Sequence, residues 1–387
     1  MGSLHKTKFQ DDWFYWQELV KNHQQTLEHL SVSTTAMITL STEFCAAIAS
    51  CEKLQSLTLR GRLVSPDETA SFWSACLLIN KLHLIAVSLP PWNDTLVGTS
   101  RLQELIVDKP QGRCDGLDLL KHCPRLRCLH WQDSESVAFP LTKFGMAAMT
   151  GAWPALEEIE FIGYNNYKDK DLAALFEGMN KLVRLHVKHT GWLGSLSLKS
   201  LRKHASLIRT LDLENCFKVD SGMIQTILTS MPALELLKVG EIDCADIVSG
   251  LPWIAFNLEV LCFSINMQSN DEQADDVSFE TRQRLVFERL SALTRLRTLH
   301  VANPLLDTKK RTLDLRLKSG LSALSTLTRL ESLRFNMGDR SMDKEDINWM
   351  IESWPRLRWF RGKFTDDPDF FYTTKQLMNS RGIMVFD

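Results

Sequence analysis

Polar residues that could carry chemistry recur at one position of a repeated pattern. The pattern is Φ-x-x-Φ-x-Φ, where Φ is apolar, and the position lies between its last two apolar residues. In eleven consecutive copies it holds His83, Ile106, His130, Glu160, His186, Asp212, Lys238, Cys262, His300, Arg334 and Arg361. Histidines and carboxylates are the groups that bind metal ions and act as general acids and bases. Zinc needs three or four ligands about 2.0–2.3 Å away, whereas neighbouring strands lie about 4.8 Å apart, so we predict no metal site.

The sequence also lacks the short motifs that mark common catalytic and nucleotide-binding sites. It contains no G-x-x-x-x-G-K-[ST] or G-x-G-x-x-G phosphate loop, no H-E-x-x-H and no G-x-S-x-G. We therefore expect that the protein is not an enzyme and that it uses no cofactor.

The elements that must position the polar column follow from the repeat itself. In Leu-x-Leu the two apolar side chains share one face of a strand, and the residue between them points the other way. Amphipathic helical segments such as residues 171–179 follow the strands. Copies of the pattern begin at residues 27, 54, 79, 102, 126, 156, 182, 208, 234, 258, 296, 330 and, in degenerate form, 357.

The spacing of these copies indicates the fold. Most intervals are 23 to 30 residues, within or close to the range of about 20–29 residues that leucine-rich repeats show. One such unit cannot bury its apolar face, but a stack of units can. We predict an α/β leucine-rich-repeat solenoid of about 12–13 repeats. It would be a curved horseshoe with a parallel β-sheet on its concave face and helices on its convex face.

We predict a single domain over residues 1–387, with repeats over about 13–362. Residues 363–387 would form an irregular C-terminal cap. The interval between the copies at 258 and 296 is long and contains the acidic run SNDEQADD, so we predict a loop insertion at about 266–280.

Composition narrows the function classes further. The 45 basic and 47 acidic residues nearly balance, so no electrostatic argument favours nucleic acid or an anionic membrane. No apolar run approaches the ~20 residues of a membrane helix, and the nine cysteines contain no C-x-x-C pair. We expect a monomer in the cytoplasm or the nucleus, with reduced thiols.

The concave face is the predicted protein-binding surface, because solenoids present extended binding surfaces there. Its densest charged patch alternates in sign between neighbouring strands, a pattern that favours binding specificity. The patch consists of Glu158, Glu160, Arg184, His186, Lys188, Asp212 and Glu214. A face with charged side chains that only contact solvent is the other interpretation.

A second candidate patch lies near the C-terminus. There Arg334, Arg361 and Lys363 accompany Trp359. Arginine beside aromatic residues suits a phosphorylated or acidic peptide. A basic repeat that simply covers the end of the core is the alternative.

The repeat that begins at Ile208 carries additional residues that identify its subtype. Ile208-x-x-Leu211-x-Leu213-x-x-Cys216-x-x-Val219-Asp220 resembles the cysteine-containing leucine-rich repeat of F-box/LRR proteins. His122-Cys123-Pro124-x-Leu126 and Ser50-Cys51-x-x-Leu54 resemble the helix-ending cysteine of that subtype. The resemblance implies the substrate-recognition part of an SCF-type (cullin-RING) ubiquitin ligase, which directs target proteins to ubiquitination.

In that family a separate F-box module contacts the ligase adaptor, and the first 50 residues contain no such motif. A cullin-RING adaptor is therefore an expected partner only if an F-box lies upstream. The alternative is a ligase-independent scaffold or inhibitor that binds a protein partner on its concave face.

Overall fold

The structure is a computed structural model. It describes residues 13–38, 42–63, 69–87, 100–111, 115–134, 139–163, 167–189, 191, 193–267, 276–301, 313–335, 341–362 and 364–386. The chain divides into two compact units, Met1–His204 and Ala205–Asp387. The prediction of one domain over residues 1–387 stays a prediction.

The described residues of the first unit form seven strands that pair in parallel and in sequence order. They are β1 (His29–Ile38), β2 (Ser56–Leu63), β3 (Lys81–Ile85), β4 (Glu104–Asp108), β5 (Cys128–Gln132), β6 (Glu158–Ile162) and β7 (Arg184–Lys188). Its α-helices are α1 (Trp13–Asn22), α2 (Thr42–Ala49), α3 (Thr69–Leu77), α4 (Leu141–Met149), α5 (Asp169–Glu177) and α6 (Ser195–Leu201). Two 3₁₀-helices span Asp115–His122 and Arg202–His204.

Where the structure describes the second unit, it also has seven parallel strands in sequence order. They are β8 (Thr210–Asp212), β9 (Leu236–Asp243), β10 (Val260–Asn266), β11 (Thr298–His300), β12 (Ser332–Arg334), β13 (Trp359–Arg361) and β14 (Met384–Phe386). Its α-helices are α7 (Ser221–Ser230), α8 (Cys244–Ser249), α9 (Asp276–Ser291), α10 (Lys344–Ser353) and α11 (Pro368–Ser380). Two 3₁₀-helices span Leu317–Ser319 and Leu321–Thr326.

The predicted α/β leucine-rich-repeat fold is confirmed within each unit. All thirteen copies of the sequence pattern form a strand, which begins two residues after the start of the copy. In β3 to β6 buried and half-buried side chains alternate, because successive residues of a strand point to opposite faces. The buried positions are the apolar ones of the pattern, and helices such as α5 bury their apolar residues as well.

The repeat motif over residues 208–220 also explains how a helix begins. Asp220 is the N-cap of α7, and its carboxylate accepts a hydrogen bond of 2.8 Å from the backbone N–H of Met223. This satisfies one of the backbone donors that the first turn of a helix leaves unpaired. Cys216 is buried among the apolar residues of the same repeat.

Buried Trp residues stand where other repeats have the helix-ending cysteine, and a buried His lies one position earlier in its repeat. Trp153, His204 and Trp354 each approach a backbone carbonyl in the helix of the preceding repeat. The donor-to-acceptor distances are 2.6 Å to Leu120, 2.9 Å to Phe176 and 3.1 Å to Leu324, respectively. Each of these carbonyls also accepts a backbone N–H at the end of its helix, so the side chains add a second contact that links one repeat to the next.

The prediction that residues 363–387 form an irregular cap is wrong, because most of them belong to a regular helix and strand. After residue 363, which lies outside the described residues, the chain forms α11 and then β14, which pairs in parallel with β13. The final strand, in Ile383–Phe386, was missed because it does not follow the full six-residue pattern.

The degenerate copy at residue 357 has a steric cause. Gly362 stands where the last apolar residue is expected, and it has φ +144°. A Cβ there would lie 2.2 Å from the carbonyl oxygen of Phe335, so only glycine fits.

The predicted acidic loop is also shorter than 266–280, since its last residues belong to α9. Residues 268–275 lie outside the described residues.

Candidate interaction surface

The strand side chains that alternate with the buried ones form what we call the polar face of each unit. In the first unit this face is crossed by ion pairs between neighbouring strands. Lys81 Nζ lies 2.5 Å from Glu104 Oε1, and His83 Nε2 lies 2.8 Å from Asp108 Oδ2. Cations and carboxylates on this part of the face therefore already have partners.

Glu158 is the centre of the densest predicted patch. Its Oε2 accepts a hydrogen bond of 2.6 Å from Arg184 Nε, and its Oε1 lies 3.1 Å from His130 Nε2. These two contacts lower the pKa of Glu158 to about 2, with the hydrogen bond to His130 as the largest cause. The hydrogen bond to Glu158 in turn raises the pKa of His130.

Glu160 completes a pair of carboxylates around one imidazole. Its Oε2 lies 3.5 Å from His130 Nδ1, and its Oε1 lies 3.6 Å from Lys188 Nζ. His186 lies directly opposite Glu160 in the register between β6 and β7. The structure thus brings Glu158, Glu160 and their predicted partners together, and it adds His130 to the cluster.

The two remaining predicted members of this patch lie in the second unit. Asp212 was expected on an exposed polar face, but its side chain is only 2% exposed. It lies 3.4 Å from Lys238 Nζ, and its Oδ1 accepts a hydrogen bond from the backbone N–H of Glu214. The expected exposure is therefore wrong for Asp212, because its carboxylate satisfies groups of its own repeat and of the next strand. Glu214 is exposed.

Further along the same face a cysteine and a histidine meet. Cys262 Sγ lies 3.3 Å from His300 Nδ1, and His300 Nε2 lies 3.4 Å from Ser332 Oγ. Burial raises the pKa of Cys262 to about 11. Burial, together with the charges of Arg334, Lys238 and Arg361, lowers the pKa of His300 to about 4. Both groups are neutral at pH 7, so the pair is not an activated thiolate nucleophile.

Arg334 and Arg361 differ from the other predicted charged residues because their positive charges have no close carboxylate partner among the described residues. They lie opposite each other in the register between β12 and β13, and Arg361 is exposed while Arg334 is half-buried. Within the described part of the chain, no carboxylate lies within ion-pair distance of either guanidinium. Burial, and then the charge of Arg361, lower the pKa of Arg334, whereas the more distant Glu214 acts in the opposite direction.

Exposed apolar side chains adjoin these arginines. Trp359 is 44% exposed, and its ring stacks on that of Phe386 with centroids 5.7 Å apart. Met384, opposite Trp359 in the register, is exposed to a similar extent. The fourth predicted member of this patch, Lys363, lies outside the described residues.

Several residues of this surface were not predicted. Met384 and Phe386 belong to a strand that was missed, although the short apolar run Ile383–Phe386 is a signal for it. His130 was placed in the polar column but not in the charged patch, since its partner Glu158 lies two residues before the column position of its own strand.

Metal ligands, disulfides and membrane-spanning helices are the other features that could indicate a function. Among the residues that the structure describes, no group of three or more His, Cys, Asp or Glu side chains could hold a metal ion. The eight cysteines within those residues are free thiols. No described helix has the length and apolar character that crossing a membrane requires.

Comparisons with known proteins do not identify a family. No family model matches the chain, and no curated protein matches it. Among solved structures, a chain in the crystal structure of the Rad7 and Elc1 complex in yeast is similar at 16% identity and a TM-score of 0.43. That match covers 96% of this chain and 86% of the other. A likeness at this level assigns neither a family nor a partner.

Proposed function

We propose that this protein binds other proteins through the polar face of its second unit and catalyses no reaction itself. The observation that carries the proposal is the pair Arg334 and Arg361, which adjoin the exposed ring of Trp359 without an ion-pair partner among the described residues. Arginine and tryptophan are enriched among the residues that dominate protein–protein binding energies.

The charged patch of the first unit is the weaker candidate. Glu158 and Glu160 already contact His130, Arg184 and Lys188, so a partner would have to compete with these ion pairs. Removing a group from an existing pair costs free energy that a new contact must first recover. We therefore assign this patch to the stability of the sheet and to specificity rather than to affinity.

We further propose that the bound partner is a target for ubiquitination and that this chain is the substrate-recognition part of an SCF-type ligase. The support is the resemblance of the repeat from Ile208 to Asp220 to those of F-box/LRR proteins. Contact with a cullin-RING adaptor would require an F-box on an upstream segment. A fold by itself supports many functions, so this proposal rests on the motif and not on the solenoid.

A ligase-independent scaffold or inhibitor is the second candidate. It would bind its partner through the same surface of the second unit. The charged patch of the first unit, whose side chains already form ion pairs with one another, would then serve only to stabilise the sheet. The two candidates differ in what happens to the bound protein.

The test compares partner capture by two double variants of the full chain in cells. Arg334→Ala/Arg361→Ala removes the two arginines of the proposed surface. Arg209→Ala/Arg297→Ala removes two exposed arginines of the same unit that pair with Glu235 and Glu331, at 3.0 and 2.8 Å. We expect the first variant to lose specific partners, which the control variant retains, as measured by quantitative mass spectrometry of purified complexes.

The fate of those partners separates the two candidates. If they are ubiquitinated, and if their half-lives lengthen when the chain is depleted, the ligase proposal is supported. Unchanged half-lives would favour the scaffold. Equal capture by wild type and by Arg334→Ala/Arg361→Ala would show that the second unit's polar face is not the binding surface.

A further inference from the structure

The last three strands place two cationic side chains and three apolar ones side by side. Arg334, Arg361 and Phe386 occupy one register line across β12, β13 and β14. Trp359 and Met384 occupy the neighbouring line on the same face, two residues earlier in their strands. A segment that crosses the strands therefore meets two positive charges first and an apolar platform next.

The positive charges of these two arginines are not neutralised by an adjacent carboxylate of the described residues. Arg334 and Arg361 repel each other and have no carboxylate within ion-pair distance among the described residues. Other arginines of this unit do have such partners, for example Arg316, whose Nη2 lies 2.5 Å from Asp314 Oδ2. A ligand with two negative charges would relieve this repulsion and would satisfy the unpaired N–H groups of both guanidinium forks.

The chemistry of the forks and of their surroundings favours carboxylates over one phosphate. Each planar guanidinium can bind one carboxylate through two parallel hydrogen bonds. The cost of removing an ion from water rises steeply with the charge on a single group, so two separate carboxylates are easier to place beside an apolar platform than one phosphate dianion. Trp359, Met384 and Phe386 provide that apolar surrounding, each about two-fifths exposed.

We infer that the second unit recognises an acidic peptide segment of its partner, with two carboxylate side chains followed by an aromatic or large aliphatic one. The carboxylates bind Arg334 and Arg361, and the apolar side chain packs on Trp359 and Phe386. In an extended segment, alternate residues share one side, so Glu-x-Glu-x-Phe presents all three groups to the face. This inference rests on the proposed protein-binding function and specifies the partner's chemistry.

The probe is a fluorescein-labelled peptide, Gly-Glu-Ser-Glu-Ser-Phe-Ser, titrated with the full chain and measured by fluorescence anisotropy. We expect saturable binding that weakens as salt is raised, because the pairs are partly exposed. Arg334→Ala/Arg361→Ala should weaken binding by about ten-fold or more, as expected from the loss of hydrogen bonds between charged groups. The control Arg209→Ala/Arg297→Ala should bind like wild type.

Three altered peptides test the assignment of each group. Gln in place of both Glu residues should abolish binding, and Ala in place of Phe should weaken it. A peptide with one phosphoserine in place of the two Glu residues should bind more weakly than the parent. Stronger binding of the phosphopeptide would overturn the carboxylate assignment in favour of a phosphate site, and equal binding of the Gln peptide would overturn an anion site altogether.

The pKa of His300 provides a second measurement, which peptide binding would change only if the peptide binds near the two arginines. Its imidazole contacts Cys262 and Ser332 and lies in the field of Lys238, Arg334 and Arg361, which contribute to its lowered pKa. A bound dianionic segment neutralises part of that field, so the pKa of His300 should rise, as measured by NMR of its ring protons. No change at saturating peptide would place the peptide elsewhere.

The outcomes also separate this inference from the proposed function. Absence of peptide binding, together with arginine-dependent capture of partners in cells, would refute the acidic segment and leave the proposed surface standing. Absence of both would refute the surface as well.

Discussion

At the scale of single residues, charge on the polar face is distributed unevenly between the units. His130 contacts two carboxylates, whereas His300 contacts a thiol and lies near three cations. The pKa of the first imidazole is consequently raised and that of the second lowered. Two histidines at the same position of the repeat thus have opposite protonation behaviour.

The pair of His130 and Glu158 predicts a pH dependence of stability. The raised pKa of His130 gives stability that is present below its ordinary value of 6.5 and is lost as pH rises through the raised value. The lowered pKa of Glu158 gives stability that is present above its ordinary value of 4.5 and is lost as pH falls towards about 2. The contribution of the pair is therefore largest between the two ordinary values.

We expect Glu158→Gln to lower the pKa of His130, as measured by NMR titration. It should also reduce the free energy of unfolding near pH 5.5 more than near pH 8. The control is Glu157→Gln, since Glu157 pairs with Arg127, at 2.8 Å, and not with a histidine. An unchanged titration of His130 in Glu158→Gln would contradict the pairing.

At the scale of elements, the stack of repeats depends on side chains that donate a hydrogen bond to the last turn of the helix in the preceding repeat. Trp354 is 1% exposed and donates its indole N–H to the carbonyl of Leu324. Trp153 does the same for Leu120 in the first unit. Both carbonyls also accept a backbone N–H, from Leu327 and Cys123 respectively. Loss of the indole therefore removes one of two hydrogen bonds, worth about 0.5–1.5 kcal/mol, and the smaller ring also leaves a cavity.

We therefore expect Trp354→Phe and Trp153→Phe each to lower the free energy of unfolding by about 1–3 kcal/mol in chemical denaturation. The control is Trp349→Phe, because Trp349 is half-buried and its indole N–H donates to no other residue in the part of the chain that the structure describes. Its replacement should cost less than about 1 kcal/mol. Equal losses for Trp349→Phe and Trp354→Phe would show that ring volume, and not the hydrogen bond, is what matters.

At the scale of the whole molecule, each repeat within a unit covers the apolar edge of the one before it. In the second unit, α11 and β14 cover β13, and Phe364 stacks on Phe371 with ring centroids 5.0 Å apart while its edge meets Phe360. The residues predicted as an irregular cap are thus the last covering layer of the core that the structure describes.

Deletion of residues 364–387 should therefore expose Phe360, which is fully buried in the intact chain. In a stack where repeats contact mainly their neighbours, the loss of protection should be largest in β13 and should fade towards β8. Hydrogen–deuterium exchange measured by mass spectrometry checks this gradient. A uniform loss of protection across the second unit would instead indicate that the unit unfolds as a single cooperative block.

The sequence by itself determined the fold and the faces of the strands, because both follow from local periodicity. Leu-x-Leu fixes which side chains are buried, and its recurrence fixes a stack of parallel strands. It also placed Arg334 and Arg361 on one face, since they occupy the same position of successive repeats. The sequence pattern did not predict β14, because this short strand follows only part of the six-residue pattern.

Only the tertiary structure decided which charges have partners. Glu158 pairs with His130 and Arg184 because side-chain rotamers and neighbouring strands bring their atoms within hydrogen-bond distance, and spacing in sequence does not specify rotamers. The same packing buries Asp212 beside Lys238 and leaves Arg334 with no carboxylate of the described residues within ion-pair distance. Burial and pairing depend on contacts between residues far apart in the chain, and those contacts exist only once the repeats have stacked.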